Sequence, residues 1–298
     1  MISIKVDVDT YEGMIHGVPR LLDAFKQHNL HASFFLSFGP DRSGMAMLQM
    51  LRSPRFAAKM FKTNAASMYG LRTIFSGTLL PARVIAASCP DLVRRIEAEG
   101  HEVAIHAWDH RAWQDDLKNF KPLRIEAHFR RAWDAYRTIL GHEPLGIGAP
   151  AWMTSPDSLR LQDRRGLLYA SDLRGGPPCR LNVNGTILRT PQLPAIGLCL
   201  EELVCLGVHS DAAIIRGLMR LVIEQPAPLR VVTMHAEVEG GPYLGLLNLF
   251  LPRLAAIGNV VTMAEAAKTL HHDLPIRLWG LKRMAGRAFP VSTSSSTV

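Results

Sequence analysis

The first nine residues restrict the fold more than any other stretch of the chain. Ile2-Ser3-Ile4-Lys5-Val6-Asp7-Val8-Asp9 alternates in side-chain character, which predicts a β-strand. At a period of two, Asp7 and Asp9 point to one side and Val6 and Val8 to the other. Two carboxylates at the C-terminal end of a first strand lie where parallel α/β folds place their chemistry. Carboxylates this close repel, so the pair favours a metal ion or a shared proton. A solvated strand end is the plain alternative.

Two later stretches repeat the pattern. Glu102-Val103-Ala104-Ile105 reads as an apolar strand and is followed by His106-Ala107-Trp108-Asp109-His110. Two histidines four residues apart, just past a strand, can converge on one metal ion. Val231-Val232-Thr233-Met234 reads as a third strand and delivers His235, followed by Ala236-Glu237-Val238-Glu239-Gly240. A single histidine is more often structural. Three strand ends carrying ligand-type residues argue for one shared site.

Together these stretches resemble the polysaccharide deacetylase family, which shares the NodB-homology fold. That family carries a paired-Asp motif, a His-x-x-x-His motif and a late His motif. Val8-Asp9-Thr10 with Gly17-Val18-Pro19-Arg20-Leu21-Leu22, Asn64-Ala65-Ala66-Ser67-Met68-Tyr69-Gly70 and Ser171-Asp172-Leu173-Arg174-Gly175 add a finer resemblance. It is to family members that deformylate a sugar carried on undecaprenyl phosphate. The resemblance spans about residues 2–270. It implies a distorted, incomplete (β/α) barrel of about seven strands. It also implies metal-dependent hydrolysis of the formamide of 4-deoxy-4-formamido-L-arabinose on its lipid carrier. The amino-sugar product would serve lipid A modification and resistance to cationic peptide antibiotics. An N-deacetylase of another N-acyl sugar or polysaccharide, or a non-catalytic lipid-carrier binding protein, are the competing readings.

The resemblance also assigns roles. Asp9, His106 and His110 match metal ligands, Asp7 matches the general base, and His235 matches the acid that protonates the leaving nitrogen. Mixed carboxylate and imidazole ligands suit a divalent ion: Zn, Mn, Co or Fe. Asp172 is a candidate partner for orienting His235. The family's third motif supplies an arginine that orients the catalytic Asp. The matching stretch here, Gly148-Ala149-Pro150-Ala151-Trp152-Met153, has none, and Arg174 is the candidate replacement. Trp152 either walls the pocket or is core. Glu237 and Glu239 either bind sugar hydroxyls or are exposed charges.

Along the chain, helices are expected at 17–28, 91–100, 125–140, 212–223, 246–256 and 263–270. Further strands are expected at 31–38, 146–148, 167–171, 186–193 and 259–262. Strands alternating with helices, with functional groups at strand C-termini, describe a (β/α) barrel over 1–273. An insertion at 41–90 interrupts it. No Asp or Glu falls between Arg42 and Pro90, and the stretch is rich in Met, Phe and Leu. After Ser53-Pro54, a good helix start, Arg55, Lys59 and Lys62 share one helical face. Phe56, Met60 and Phe61 share the other. This is either a membrane-surface helix or a subdomain packed on the barrel. Residues 274–298 form a basic tail, read as a second interfacial segment or a floppy end, with 292–298 disordered.

The net charge of +8 calls for an anionic partner. The basic stretches carry Met and Phe and lack nucleic-acid recognition motifs, which favours an anionic membrane surface over nucleic acid. No signal peptide and no apolar run of about 20 residues is evident. The four cysteines are scattered without a Cys-x-x-Cys pair, which fits a reduced chain. The expected location is the cytoplasmic face of the inner membrane, as a peripheral or monotopic protein.

Overall fold

β1 (Ile2–Val8) runs through a parallel sheet with every residue buried. Burial on both faces is the mark of a strand covered inside and outside. The computed structural model describes residues 1–45, 71–225, 227–270, 274–284, 287 and 289–296. The sheet also contains β2 (Ser33–Ser37), β3 (Glu102–Ala107), β4 (Gly146–Ile147) and β5 (Tyr169–Ala170). A second sheet begins with β6 (Arg180–Val183) and β7 (Thr186–Ile187). β8 (Arg230–His235) returns to the first, and β9 (Ile276–Lys282) and β10 (Val291–Ser296) complete the second.

The first sheet has the order β5-β4-β3-β2-β1-β8, with all pairs parallel. It curls into an incomplete barrel, as expected. Among the described residues the gap between β5 and β8 is bridged by isolated pairings, Ala170 with Gln192, Arg174 with Ala195 and Ala195 with Val231. A strand was expected at 186–193. Thr186–Ile187 instead turns back on β6, and Pro191 and Pro194 remove ladder donors from the closing segment. The strand expected at 259–262 is reduced to one bridge, Ile2 with Val260.

Helices Val18–Gln27, Pro90–Ala98, Pro122–Leu140, Pro156–Asp163 and Asp211–Glu224 connect the strands. The apolar faces of all but Pro156–Asp163 pack on the outer side of the sheet with Ile4, Val6, Val8, Phe34 and Leu36, while Leu159 of that helix joins Leu173, Leu181 and Val183. The barrel interior is different. Phe35, Ala104, Tyr169, Leu193 and Val231 meet Met263, Ala264, Ala266 and Ala267 of helix Met263–Leu270, which plugs the end opposite the strand C-termini. Glu102 fixes the plug by accepting hydrogen bonds from Ser33 Oγ (2.6 Å), Tyr169 OH (2.9 Å) and Ala264 N (3.0 Å). The open end of the barrel is therefore the end where the ligand-type residues lie.

One expectation falls outside the described residues and another changes. Residues 46–70 lie outside the described residues, and with them Arg55, Phe56, Lys59, Met60, Phe61 and Lys62. The two ends of the insertion join at the barrel mouth, where Asp41 N donates to Arg83 O at 2.7 Å and Gly44 N to Ser76 O at 2.8 Å. The C-terminal segment is not a loose tail in its described part. β9 and β10 form a hairpin, and β9 pairs in parallel with β6. Ser292 is fully buried, and its Oγ lies 2.7 Å from Thr154 Oγ1. A Ser-rich sequence becomes strand here because a partner edge takes its backbone groups.

Candidate active site

Asp9 leaves the end of β1, His106 lies in the last turnless step of β3, and His110 opens helix His110–Asp116. Asp109 caps that helix, accepting from Ala112 N at 2.9 Å, so the chain turns immediately after the strand. The two imidazole rings consequently sit 5.1 Å apart. His106 Nε2 is 3.3 Å from Asp9 Oδ1, and His110 Nε2 is 3.2 Å from Asp9 Oδ2. His106 Nδ1 lies 2.7 Å from Gly148 O, a carbonyl that can only accept. That places the proton on Nδ1 and leaves the Nε2 lone pair facing Asp9.

Burial pushes His110 down to about 4, against the pull of Asp9, so its ring is neutral near neutral pH. Burial acts against the Asp9 carboxylate, but His110 and His106 outweigh it and hold its pKa well below the usual range. Asp9 Oδ1 is buried without a hydrogen-bond partner among the described residues. The ligating atoms of Asp9, His106 and His110 all lie within 4.8 Å of one another. One carboxylate and two imidazoles with their lone pairs converging fit a divalent cation.

Asp7 and His235 are directly paired across β1 and β8. Asp7 forms a buried ion pair with Lys5 Nζ. Lys5 is fully buried, 4.6 Å from the Phe35 ring centroid and 5.5 Å from that of Trp152. The expected substitute for the missing third-motif arginine was Arg174. The structure turns Arg174 away: it binds Glu202 and Gly197 O and lies over Trp152 at 4.0 Å. The cation at Asp7 is Lys5, two residues back on the same face of the strand.

The partner of His235 also differs from expectation. Asp172 accepts from Ala149 N (2.8 Å), Gln162 Nε2 (2.7 Å) and Gln192 Nε2 (2.9 Å), and burial raises its pKa. It braces the loop after β4 and does not reach His235. Glu201, in helix Leu200–Cys205, puts Oε1 3.2 Å from His235 Nδ1. Burial opposes the imidazolium, but Glu201, with Asp9 and Asp7, holds His235 well above the usual histidine range. The ring is therefore charged, with Nε2 as its free donor.

Glu237 and Glu239 are buried and are not exposed strand-end charges. Glu239 accepts from His235 N at 2.8 Å, and burial, with Glu201, pushes it up to about 8. Burial, with Asp9, raises Glu237 well above the usual carboxyl range. Glu237 packs on Gly13, where a Cβ would come within 2.6 Å of its Oε2. Gly17 is required for a similar reason, since a side chain there would strike Ala236 O.

A cavity of about 270 Å³ collects these groups. It is lined by Asp7, Asp9, His106, His110, His235 and Glu237, and also by Glu201, Trp152, Arg42 and Arg287. Trp152 is both buried and a wall. It adopts a left-handed backbone conformation, φ 54°, which strains a non-glycine residue and holds the ring beside Lys5. Arg287, from the segment between β9 and β10, binds Glu202 at 2.6 Å. Burial opposes the Glu202 carboxylate, but Arg174 and Arg287 bring it down to about 2.

A parallel barrel open at its strand C-termini, with this Asp/His cluster beside the buried Asp7 and His235, defines an amide-cleaving hydrolase of the carbohydrate deacetylase type. The chain belongs to the polysaccharide deacetylase family, whose model matches residues 9–170. It is 33% identical over 240 residues to the "Probable 4-deoxy-4-formamido-L-arabinose-phosphoundecaprenol deformylase ArnD" of Shewanella sediminis (strain HAW-EB3). That alignment covers 80% of this chain and 76% of the relative. In fold it is similar to a probable polysaccharide deacetylase from Pseudomonas aeruginosa PAO1, with TM-score 0.62, 15% identity and 91% of each chain covered. It is similar likewise to the PuuE allantoinase, with TM-score 0.60, 16% identity, and 91% of this chain and 90% of that one covered.

Sequence reasoning missed Lys5 and Glu201. Lys5 had a usable signal, because period two puts it on the Asp7 and Asp9 face. Glu201 had none, because its approach to His235 is set by the path of the chain between the second sheet and β8.

Proposed function

We propose that this hydrolase removes the formyl group from 4-deoxy-4-formamido-L-arabinose linked to undecaprenyl phosphate, releasing formate and the amino-sugar lipid. The observation that carries the chemistry is the cavity in which Asp9, His106 and His110 face Asp7 and His235. The substrate follows the ArnD relative. Asp9, His106 and His110 would hold the divalent ion, which supplies a Lewis acid for the carbonyl and acidifies water. The chain's own residues do the rest. Lys5 occupies Asp7 Oδ1, so Oδ2 is the oxygen left to take the proton of the attacking water. His235, charged and oriented by Glu201, delivers the Nε2 proton to the departing nitrogen, without which an amine does not leave. Glu237 faces the same cavity and offers a hydrogen bond to a sugar hydroxyl.

The substrate's lipid tail requires work at a membrane surface, on the cytoplasmic side that the sequence led us to expect. Among the described residues no helix is long and apolar enough to cross a membrane. The mouth supports surface contact instead. Leu79 is 79% exposed and Leu80 44%, close in sequence to the cavity-lining Thr73 and Ile74 and to the basic Arg72 and Arg83. Apolar residues among cations suit the interface of an anionic bilayer.

The deciding experiment gives metal-loaded protein the formamido-arabinose lipid and its acetamido analogue and measures released formate and acetate. Formate alone supports the reading; acetate in preference to formate replaces it with an N-deacetylase. Replacing Leu79 and Leu80 by Ser should weaken co-sedimentation with anionic vesicles and leave hydrolysis of a short-chain analogue unchanged. Unaltered vesicle binding would remove this edge from the membrane contact.

A further inference from the structure

A second group of cation ligands lies behind His235. Cys199, the residue before helix Leu200–Cys205, donates its thiol proton to Glu201 Oε1 at 2.8 Å. His235 Nδ1 stands 3.2 Å from that same oxygen. The ligating atoms of Cys199, Glu201 and His235 lie within 4.8 Å of one another. Cys199 is only 2% exposed, and the side chains of Glu201 and His235 are 14% and 13% exposed. Glu201 Oε2 is buried without a hydrogen-bond partner among the described residues, and His235 Nδ1 meets Glu201 Oε1 as an ion pair with no further partner. Three ligand residues thus converge from two elements, and two of them, Glu201 and His235, each carry a buried atom without a hydrogen-bond partner among the described residues.

We propose that Cys199, Glu201 and His235 form a second, inhibitory site for a soft divalent cation such as Zn²⁺ or Cd²⁺, distinct from the Asp9, His106 and His110 cluster. Binding needs only these side chains; the inhibition rests on the reading of His235 as the proton donor. The thiol and the imidazolium each lose a proton, and bonds form from Sγ, from Nδ1 and from a Glu201 oxygen. A neutral ring bound through Nδ1 keeps its Nε2 proton too tightly to release it to a leaving amine. The incoming charge is matched by the Cys199 thiolate and Glu201. Arg174 and Arg287 are already engaged by Glu202. A thiolate in the set selects soft ions over Mg²⁺, Ca²⁺ and Mn²⁺. The protein would therefore tolerate an excess of hard cations and be silenced by an excess of zinc or cadmium.

The test adds Cd²⁺ to the full-length protein already holding one divalent ion and follows the thiolate-to-cadmium charge-transfer absorption. In the parent the band should saturate with one further cadmium per chain, and activity should fall with the same midpoint. Cys199→Ala should lose the band and keep its uninhibited activity. Its inhibition should need at least about tenfold more cadmium, a loss seen even when only an outer-shell metal partner is removed. Cys199→Ser, closer in size and unable to give a thiolate band, serves the same purpose if the alanine variant does not fold. A parent without the band, or a band that survives in both variants, overturns the site. A Cys199-dependent band with activity unchanged overturns the inhibition. The spectroscopic arm needs no turnover, so a failure of the deformylase reading cannot be mistaken for failure of the site.

Discussion

The two sides of the cavity are built differently. Asp9, His106 and His110 come from the ends of two strands in one sheet, and each needs at most a capped turn to reach the others. Asp7 and His235 sit on adjacent strands in register, but each depends on a buried opposite charge: Lys5 in one case, Glu201 in the other. The first side is a set of converging lone pairs of the kind that a divalent cation would satisfy. The second must already be compensated within the protein, because an uncompensated buried charge is far more costly than a buried pair. Ligand geometry can therefore be local, whereas proton-transfer groups draw in partners from across the fold.

Variants that separate the two sides should rank as follows. His106→Ala or His110→Ala should lose bound metal and activity together, the largest effect, read by metal analysis alongside formate release. Full activity with stoichiometric metal in either variant would remove the cluster from the chemistry. Asp7→Asn and His235→Ala should keep the metal and lose about two to four orders of magnitude in rate, the usual worth of a positioned acid or base. Release of the metal from Asp7→Asn would merge the two sides into one.

Next is the Lys5–Asp7 pair. Lys5→Met should lower stability to urea by about 3–5 kcal/mol, because it strands a buried carboxylate. The double variant with Asp7→Asn should recover much of that loss. If the double variant is no more stable than Lys5→Met alone, the pair is not the compensated unit described here.

The smallest effect belongs to Glu201→Gln. It removes the charge that keeps His235 protonated, so the folded pKa of His235 must fall. With His235 as the proposed proton donor in its charged form, the alkaline limb of the rate profile should move to lower pH, by about 1–3 units for the loss of an adjacent opposite charge. Metal content should not change. An unmoved limb would show that His235 is held by other groups.

Much of this arrangement was legible in the residue order. The period-two alternation up to Asp9, the His-x-x-x-His spacing after an apolar run, and His235 at the end of another such run are local patterns. Local sterics and burial decide them wherever the strand lies. So were most of the helices, whose apolar spacing survives in the structure with ends shifted by a few residues. The sequence alone also put Lys5 on the face of Asp7 and Asp9, although that position gives no sign of which charge it meets.

Tertiary structure decided the rest. Residues 186–193 had strand character, yet prolines and the pairing of β7 with β6 left only bridges to close the barrel. The serines of β10 had no intrinsic reason to be a strand, and became one because β9 offered an edge. Arg174 was the expected replacement for the arginine missing from residues 148–153, but the buried carboxylate of Glu202 and the face of Trp152 took it. Glu201 reaches His235, and Asp172 does not, because three amide donors at 149, 162 and 192 hold Asp172 in the loop after β4. A pattern along the chain specifies which way a side chain points. Which charge it meets depends on segments distant in sequence, and those are ordered only when the whole core packs.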